Sequence, residues 1–279
     1  MYQQVNAHFC AAISAIIAPD DVIWIHDYHL LLLPQLVRNA HPRATIGFFL
    51  HIPFPTYEVY RMLPSAWRTA LLDGLLGADL IGLHTPDDVT YLRTCLERLR
   101  HIPSDGAPIA YGDRTIAVVA APVSIDTAHF AAAPHLPAVQ QEITQLQEQL
   151  AERKLIMSVD RLDYSKGLLR RLQGYQHFLA THPEWHGRVV LTLVVVPSRI
   201  GVDHYQVLKQ QLDEAVGQMN GQFGTIHWTP VIYQYRAIPF EALVALYRVG
   251  DVALITPLRD GMNLVCKEYV ATRAEPHTQ

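Results

Sequence analysis

The sequence has few of the features that assign a protein to a specialised class. It contains three cysteines, Cys10, Cys95 and Cys266, and they lie far apart. This excludes a disulfide framework and the close cysteine spacing of a structural zinc site, and it fits reduced thiols in a cytoplasmic protein. No apolar run approaches the roughly 18 residues that a membrane-spanning helix needs. We therefore expect no membrane partner.

An excess of charge of one sign is also absent. The 22 basic and 26 acidic residues give a formal net charge of −4, and the basic residues are scattered along the chain. This argues against nucleic acid as a partner. Hydrophobic residues make up 50% of the 279 residues, which is enough for a sizeable core and for two domains of ordinary size.

Short apolar runs alternate with helical patterns along the chain, and this alternation predicts an α/β fold of parallel sheets with helices on both faces. The predicted strands cover residues 22–25, 44–50, 80–83, 116–122, 155–159, 189–196, 225–233 and 251–256. An amphipathic helical pattern between residues 131 and 153 separates two strand-helix series. We therefore predict two Rossmann-like, doubly wound domains, residues 1–130 and 131–279.

One strand-to-helix loop carries two cations. The apolar run Leu155–Val159 ends in a polar loop with Arg161 and Lys166, and a helical pattern follows. Backbone N–H groups and the helix dipole at such a loop favour an anion, and two cations suggest a diphosphate. The alternative is a surface loop in which these cations merely pair with Asp160 and Asp163.

Two acidic residues and a glycine follow the last predicted strand, in the same half of the chain as the cationic loop. Asp260 and Gly261 lie at a strand-to-helix turn, and Glu268 lies two helical turns later. With the cationic loop, these carboxylates suggest a site for a sugar carried on a diphosphate. Arg199 ends another strand and suits a second phosphate through its planar fork, although an ordinary surface arginine explains it equally well.

Histidines and an aspartate follow the first two strands. His26, Asp27 and His29 form a cluster that could bind a metal, but the ligand set is incomplete and hydrogen bonding to a sugar explains the mixture as well. We therefore assign no metal. His51 ends a very apolar strand, where a histidine is more often a satisfied core residue than a catalyst.

Five ordered motifs resemble glycosyltransferase family 20, the trehalose-6-phosphate synthases. They are His26-Asp27-Tyr28-His29-Leu30, Gly47 to Pro55, Arg161 to Gly167, Val196-Pro197-Ser198-Arg199 and Arg259 to Val265. The resemblance extends from about Tyr2 to Ala271. It implies a GT-B glycosyltransferase that moves glucose from a nucleotide diphosphate, usually UDP, to glucose 6-phosphate. Such enzymes retain the anomeric configuration and need no metal or other cofactor.

The resemblance also implies residue roles. The residues implied to bind the donor are Arg161, Lys166, Asp260, Gly261, Met262, Asn263, Leu264, Val265 and Glu268. Those implied to bind the acceptor are Asp27 and Arg199, and those implied to act in catalysis are Arg161, Lys166, His51 and Asp260. The two cations would neutralise the charge that grows on the diphosphate. No general base is assigned, because the leaving phosphate is thought to take the acceptor proton.

The resemblance carries expectations about the whole chain. Family members have a Gly-Gly nucleotide loop before the part matched here and a further strand and helix after it. We therefore expect an internal fragment, with an acceptor-side domain 1–130 and a donor-side domain 131–279, both truncated and with little activity alone. A homo-oligomer is compatible with the resemblance. The alternatives are a transferase that uses glycerol 3-phosphate and a regulatory subunit, which the retained donor residues disfavour.

Overall fold

The computed structural model describes residues 1–103, 108–199 and 201–274. The chain forms two compact units, Met1–Val123 and Ser124–Gln279. The first unit contains strands β1 (Val22–His26), β2 (Thr45–Phe49), β3 (Leu80–Leu83), β4 (Ile109–Tyr111) and β5 (Arg114–Ala120), with helices α1 (Tyr2–Ser14), α2 (Leu33–Ala40), α3 (Tyr57–Tyr60), α4 (Ser65–Leu75) and α5 (Pro86–Arg100).

The second unit has the same alternation. It contains strands β6 (Lys154–Arg161), β7 (Val189–Val196), β8 (Val231–Gln234) and β9 (Val252–Ala253), with helices α6 (Thr127–Ala132), α7 (Pro137–Leu150), α8 (Leu168–Thr181), α9 (Asp203–Phe223), α10 (Phe240–Val249) and α11 (Leu264–Arg273). Short 3-10 helices cover Tyr28–Leu30, Ala133–His135, Tyr164–Lys166 and Pro183–Trp185. Among the described residues, no helix is both long enough and apolar enough to cross a membrane.

The first sheet has the strand order β1-β2-β3-β5-β4, and its strands are parallel except for β4, which pairs antiparallel with β5. The predicted α/β class and parallel pairing are thus confirmed, whereas β4 was not among the predicted strands. Tyr111 pairs with Arg114 across a two-residue turn in which Gly112 has φ +64°. A glycine that supplies positive φ between two apolar runs is the usual mark of such a hairpin.

The core of the first unit lies on one face of its sheet. Ile25, Phe48 and Ile81 pack there with apolar residues of α2, α4 and α5. The other face carries Val22 and Trp24 of β1, Leu80 of β3 and Val119 of β5, whose exposed fractions lie between 39% and 71%. Within the described residues, the expected helix layers are therefore seen on only one face of this sheet.

The second sheet has the order β8-β7-β6-β9, and all its strands are parallel. Every residue of β7 except the last is buried, so both faces of this strand are covered. Core residues of α8, α9 and α10 pack in the same cluster. The positions of β6 and β7 agree with the sequence prediction.

Two predicted strands are shorter than expected. The segment predicted as 225–233 yields only β8, because Thr225 and Trp228 exchange backbone hydrogen bonds in a tight turn and Pro230 follows. The segment predicted as 251–256 yields only the two residues of β9. A strand at the sheet edge needs pairing on one side only, and here that pairing ends at Ala253 with Met157.

The division between the units precedes the boundary expected near residue 130. Asp126 caps α6, since its Oδ1 accepts a hydrogen bond of 2.9 Å from the backbone N–H of His129. On that helix, the ring of Phe130 lies 5.7 Å from the ring of Phe240 in α10. These contacts tie the segment after Val123 to the second unit.

Candidate functional site

The cationic loop of the second unit is a tight turn between β6 and α8. Arg161 is the last residue of β6 and is exposed, while Lys166 ends the 3-10 helix that follows. Asp163 closes this turn, because its Oδ1 accepts a hydrogen bond of 2.8 Å from the backbone N–H of Ser165. Gly167, at φ +67°, then leads into α8.

Gly167 is required for two separate reasons. Its positive φ disfavours side chains, and a Cβ atom at this position would lie 2.9 Å from the carbonyl oxygen of Thr256. Gly187 is a matched control, because it has φ +75° but no heavy atom within 4 Å of an added Cβ.

We expect Gly187→Ala to lower the free energy of unfolding by about 1 kcal/mol, which is the backbone penalty alone. Gly167→Ala should lower it by about 2–3 kcal/mol, because the Cβ also forces the loop away from Thr256. Urea unfolding of the two variants measures the difference. Equal losses would show that the close approach to Thr256 has no energetic effect.

Lys166 and Asp260 are brought together by the fold. The ammonium Nζ lies 2.7 Å from Asp260 Oδ2, and the two side chains are only 13% and 19% exposed. Asn263 donates through Nδ2 to the same carboxylate oxygen at 3.1 Å, and its Oδ1 caps α11 by accepting from the backbone N–H of Cys266. The backbone N–H of Leu258 donates to the carbonyl of Ser165 at 2.8 Å, so the two loops are joined.

The surface-loop alternative is therefore wrong in its pairing. Lys166 pairs with Asp260, not with Asp160 or Asp163. Arg161 makes no ion pair or side-chain hydrogen bond with the part of the chain that the structure describes. Because a solvated guanidinium at the end of a parallel strand has no internal partner to displace, it can meet an anion directly.

A buried arginine of α8, Arg171, contacts the loop through the carbonyl of Lys166 and was not predicted from the sequence. Arg171 pairs with Asp160 at 2.6 Å, and the side chains are 1% and 2% exposed. The same guanidinium donates to Ser158 Oγ, to Thr256 Oγ1 and to the carbonyl of Lys166. Burial raises the pKa of Asp160, while the charge of Arg171 pulls it back toward its ordinary value. The available signal was an arginine within the apolar stripe that includes Leu168 and Leu172.

Glu268 points into the core side of α11. Its Oε2 accepts a hydrogen bond of 2.7 Å from the hydroxyl of Tyr247, a fully buried residue of α10. Burial and this bond to a carboxylate raise the pKa of Tyr247, so the hydroxyl keeps its proton and orients Glu268. Leu264 and Val265 begin α11, Asn263 is its N-cap and Met262 precedes it, and backbone N–H groups and the helix dipole at this helix start favour an anion.

The predicted residues of the first unit also lie together. Asp27 has φ +73°, and its Oδ1 accepts a hydrogen bond of 3.2 Å from the backbone N–H of His51. His51 Nε2 lies 3.0 Å from His26 Nδ1, so one of these rings donates to the other. Desolvation and the neighbouring His51 lower the pKa of His26, which favours the neutral form of the His26 ring.

The core-residue interpretation of His51 is wrong, because its side chain is exposed. His84, which the sequence analysis did not consider, is the buried histidine next to it, with ring centroids 6.0 Å apart. Among the described residues, no three His, Cys, Asp or Glu side chains are grouped in a way that could hold a metal ion.

The sequence pattern of glycosyltransferase family 20 matches residues 1–279. The chain belongs to this family. Over 275 residues, 98% of the chain, it is 48% identical to the bifunctional trehalose-6-phosphate synthase/phosphatase of Thermoproteus tenax, of which it covers 37%.

Solved structures of the family have the same fold. The alpha,alpha-trehalose-phosphate synthase (UDP-forming) of Burkholderia xenovorans in complex with glucose-6-phosphate matches 98% of the chain with a TM-score of 0.88 and 35% identity. The E. coli protein bound with UDP-2-fluoro glucose matches the same share with a TM-score of 0.89 and 37% identity. The chain covers 61% and 60% of these two proteins.

The family-20 chain thus presents two groups of predicted residues, one in each unit. In the second unit, Lys166, Asp260 and Asn263 are in direct contact, Arg161 ends the strand that leads to them, and Glu268 lies on the helix that Asn263 caps. In the first unit, Asp27 and His51 are joined by a hydrogen bond. Each group lies at the carboxyl ends of parallel strands, which is the functional edge of an α/β sheet.

Proposed function

We propose that this chain carries the central part of a retaining glucosyltransferase of GT-B type. In the proposed reaction, glucose passes from UDP-glucose to glucose 6-phosphate and gives α,α-trehalose 6-phosphate. The observation that carries the proposal is the pair of contacts that Asp260 makes with Lys166 and with Asn263 beside the start of α11. A cation, a carboxylate and a helix N-terminus in one place fit a sugar attached to a diphosphate.

The proposed donor site is in the second unit, Ser124–Gln279, which contains the whole of the predicted donor-side domain 131–279. Arg161 and Lys166 would bind the diphosphate and neutralise the negative charge that develops on it as the glycosidic bond breaks. Asp260, Gly261 and the backbone of residues 262–265 would hold the donor sugar and phosphate, and Glu268 the ribose. Asp260 is held by two donors, so its carboxylate is preorganised for hydroxyl groups.

The proposed acceptor contacts are Asp27 and Arg199. Asp27 would accept hydrogen bonds from the acceptor hydroxyls, and Arg199 would bind the acceptor phosphate through its guanidinium. His51 would lie beside the donor glucose. Its backbone N–H donates to Asp27 and its ring lies within hydrogen-bond distance of His26.

The proposal has a direct test in the 279-residue chain. Isothermal titration calorimetry should detect binding of UDP-glucose, because both cations proposed for the diphosphate are present and Lys166 is held in place by Asp260. In the presence of glucose 6-phosphate, we expect little or no trehalose 6-phosphate, since the chain spans only about three fifths of the two solved proteins.

The two halves of this prediction are independent. Absence of UDP-glucose binding would contradict the donor site, whereas measurable synthesis would contradict only the expected inactivity. Glycerol 3-phosphate serves as the competing acceptor in the same assay, and preferential use of it would contradict the proposed acceptor.

A further inference from the structure

The side chain of Arg199 is held in a defined place. Arg199 follows β7 with φ +49°, a conformation that costs a non-glycine residue about 1 kcal/mol or more and persists only where its surroundings hold it. Its Nη1 donates a hydrogen bond of 2.8 Å to the hydroxyl of Tyr205. The centre of the guanidinium also lies 5.6 Å from the centre of the tyrosine ring. Tyr205 therefore contacts Arg199 both through its ring and through its hydroxyl.

Tyr205 is itself fixed at both ends. Its ring is 5% exposed and belongs to the core of the second unit, within the first turn of α9. Its hydroxyl donates to Asp163 Oδ2 at 3.2 Å. Although burial alone would raise the pKa of Asp163, hydrogen bonds from Ser165 and Tyr205 and the charge of Arg199 hold it below its ordinary value. Asp163 is therefore an ionised acceptor that fixes the direction of the tyrosine hydroxyl.

The hydroxyl connects two parts of the proposed site. Asp163 closes the turn that carries Lys166, and Arg199 follows the neighbouring strand β7. A hydroxyl can orient a guanidinium without bringing an opposite charge of its own.

We propose that Tyr205 is a positioning residue that orients the guanidinium of Arg199 for the phosphate of the acceptor. The inference rests on the proposed function, because it takes the anion at Arg199 to be the phosphate of a sugar phosphate. It adds a residue that lies outside the five family motifs. Tyr205 acts only through Arg199 and does not touch the substrate.

The test is the Tyr205→Phe variant of the whole chain, which keeps the ring, its burial and its contact with the guanidinium. We expect the Kd for glucose 6-phosphate, measured by isothermal titration calorimetry, to rise about tenfold, since a hydrogen bond to a charged group is lost. The Kd for UDP should change by less than about twofold. A merely structural role would affect both ligands, and equal losses would overturn the proposal.

Tyr164→Phe is the matched control. Tyr164 lies in the turn next to Asp163, is largely exposed, and has its ring 6.4 Å from that of Tyr205. Loss of its hydroxyl should leave both affinities unchanged. If Tyr164→Phe weakens glucose 6-phosphate binding as much as Tyr205→Phe does, the specific role of Tyr205 is overturned.

A double variant separates action through Arg199 from any other effect. Arg199→Gln alone should weaken glucose 6-phosphate binding, and adding Tyr205→Phe should produce no further loss. A further tenfold loss in the double variant would overturn the inference.

If the Tyr205→Phe variant binds glucose 6-phosphate as tightly as the unaltered chain does, only this inference fails. If the unaltered chain binds UDP but no glucose 6-phosphate, the proposed acceptor fails and the inference fails with it.

Discussion

Replacing Arg171 with Met is expected to lower the free energy of unfolding of the second unit by about 3–5 kcal/mol, because it leaves Asp160 buried without its counter-ion. Asp160 is 2% exposed at its side chain, and Arg171 is its only ion-pair partner among the described residues. The variant also removes the donors to Ser158, Thr256 and the carbonyl of Lys166. Hydrogen exchange of peptides from β6 and α8 in increasing urea measures this unit separately.

The neighbouring Arg170 provides the control. Arg170 is exposed on the same helix, so Arg170→Met should change stability by no more than about 0.5 kcal/mol. Adding Asp160→Asn to Arg171→Met should recover part of the loss, because the buried charge is then gone. A loss in Arg171→Met that matches the loss in Arg170→Met would contradict the buried-charge explanation.

The loss should also depend on pH. The pKa of Asp160 is already raised in the folded chain, and removal of Arg171 must raise it further. A carboxyl whose pKa is higher when folded binds its proton preferentially in the folded state, so the stability of the variant rises as pH falls through the folded pKa. The difference between the variant and the unaltered chain should therefore be smaller near pH 5 than near pH 8.

The second large effect is expected for binding of the donor. Lys166→Ala should weaken UDP-glucose binding by about 30-fold to 100-fold, which corresponds to about 2–3 kcal/mol. Two causes act together. The diphosphate loses a cation, and the carboxylate of Asp260, which was 2.7 Å from that cation, then faces the diphosphate without compensation. Calorimetric titration of UDP-glucose into the variant measures the change.

Lys154, at the opposite end of β6, offers a control of the same chemical kind. Lys154 begins β6 and pairs with Asp251 at 2.8 Å, whereas Lys166 follows the other end of the strand. Lys154→Ala should leave UDP-glucose binding unchanged, because its ion pair lies at the amino end. If the two variants lost affinity equally, the effect would come from stability or net charge and not from the proposed site.

A third comparison addresses the role of Asp260. Adding Asp260→Asn to Lys166→Ala removes the uncompensated carboxylate and should restore part of the affinity for UDP, which has no sugar to bind. Affinity for UDP-glucose should recover less, because the amide is a poorer acceptor for sugar hydroxyls than a preorganised carboxylate. Equal recovery for both ligands would contradict the contact of Asp260 with the sugar.

Much of the fold follows from local patterns in the sequence. The strands β6 and β7 are buried on both faces and therefore appear as continuous apolar runs, which is why their positions could be predicted. Short edge strands are different, because a strand such as β4 or β9 depends on what pairs with it. The face of the first sheet against which the described helices pack was also unpredictable, since strand patterns do not reveal which face receives helices.

The sequence by itself determined the family and the candidate residues, because the motifs at 26–30, 161–167 and 259–265 are local and ordered. Only the tertiary structure decided which charges are paired. Lys166 and Asp260 are 94 residues apart and Arg171 and Thr256 are 85 apart, yet each pair is in contact. Long-range pairing depends on how parallel strands align, and no local pattern carries that information. The cationic loop could therefore be predicted from the sequence, whereas its contacts with Asp260, Arg171 and Tyr205 could be seen only in the folded structure.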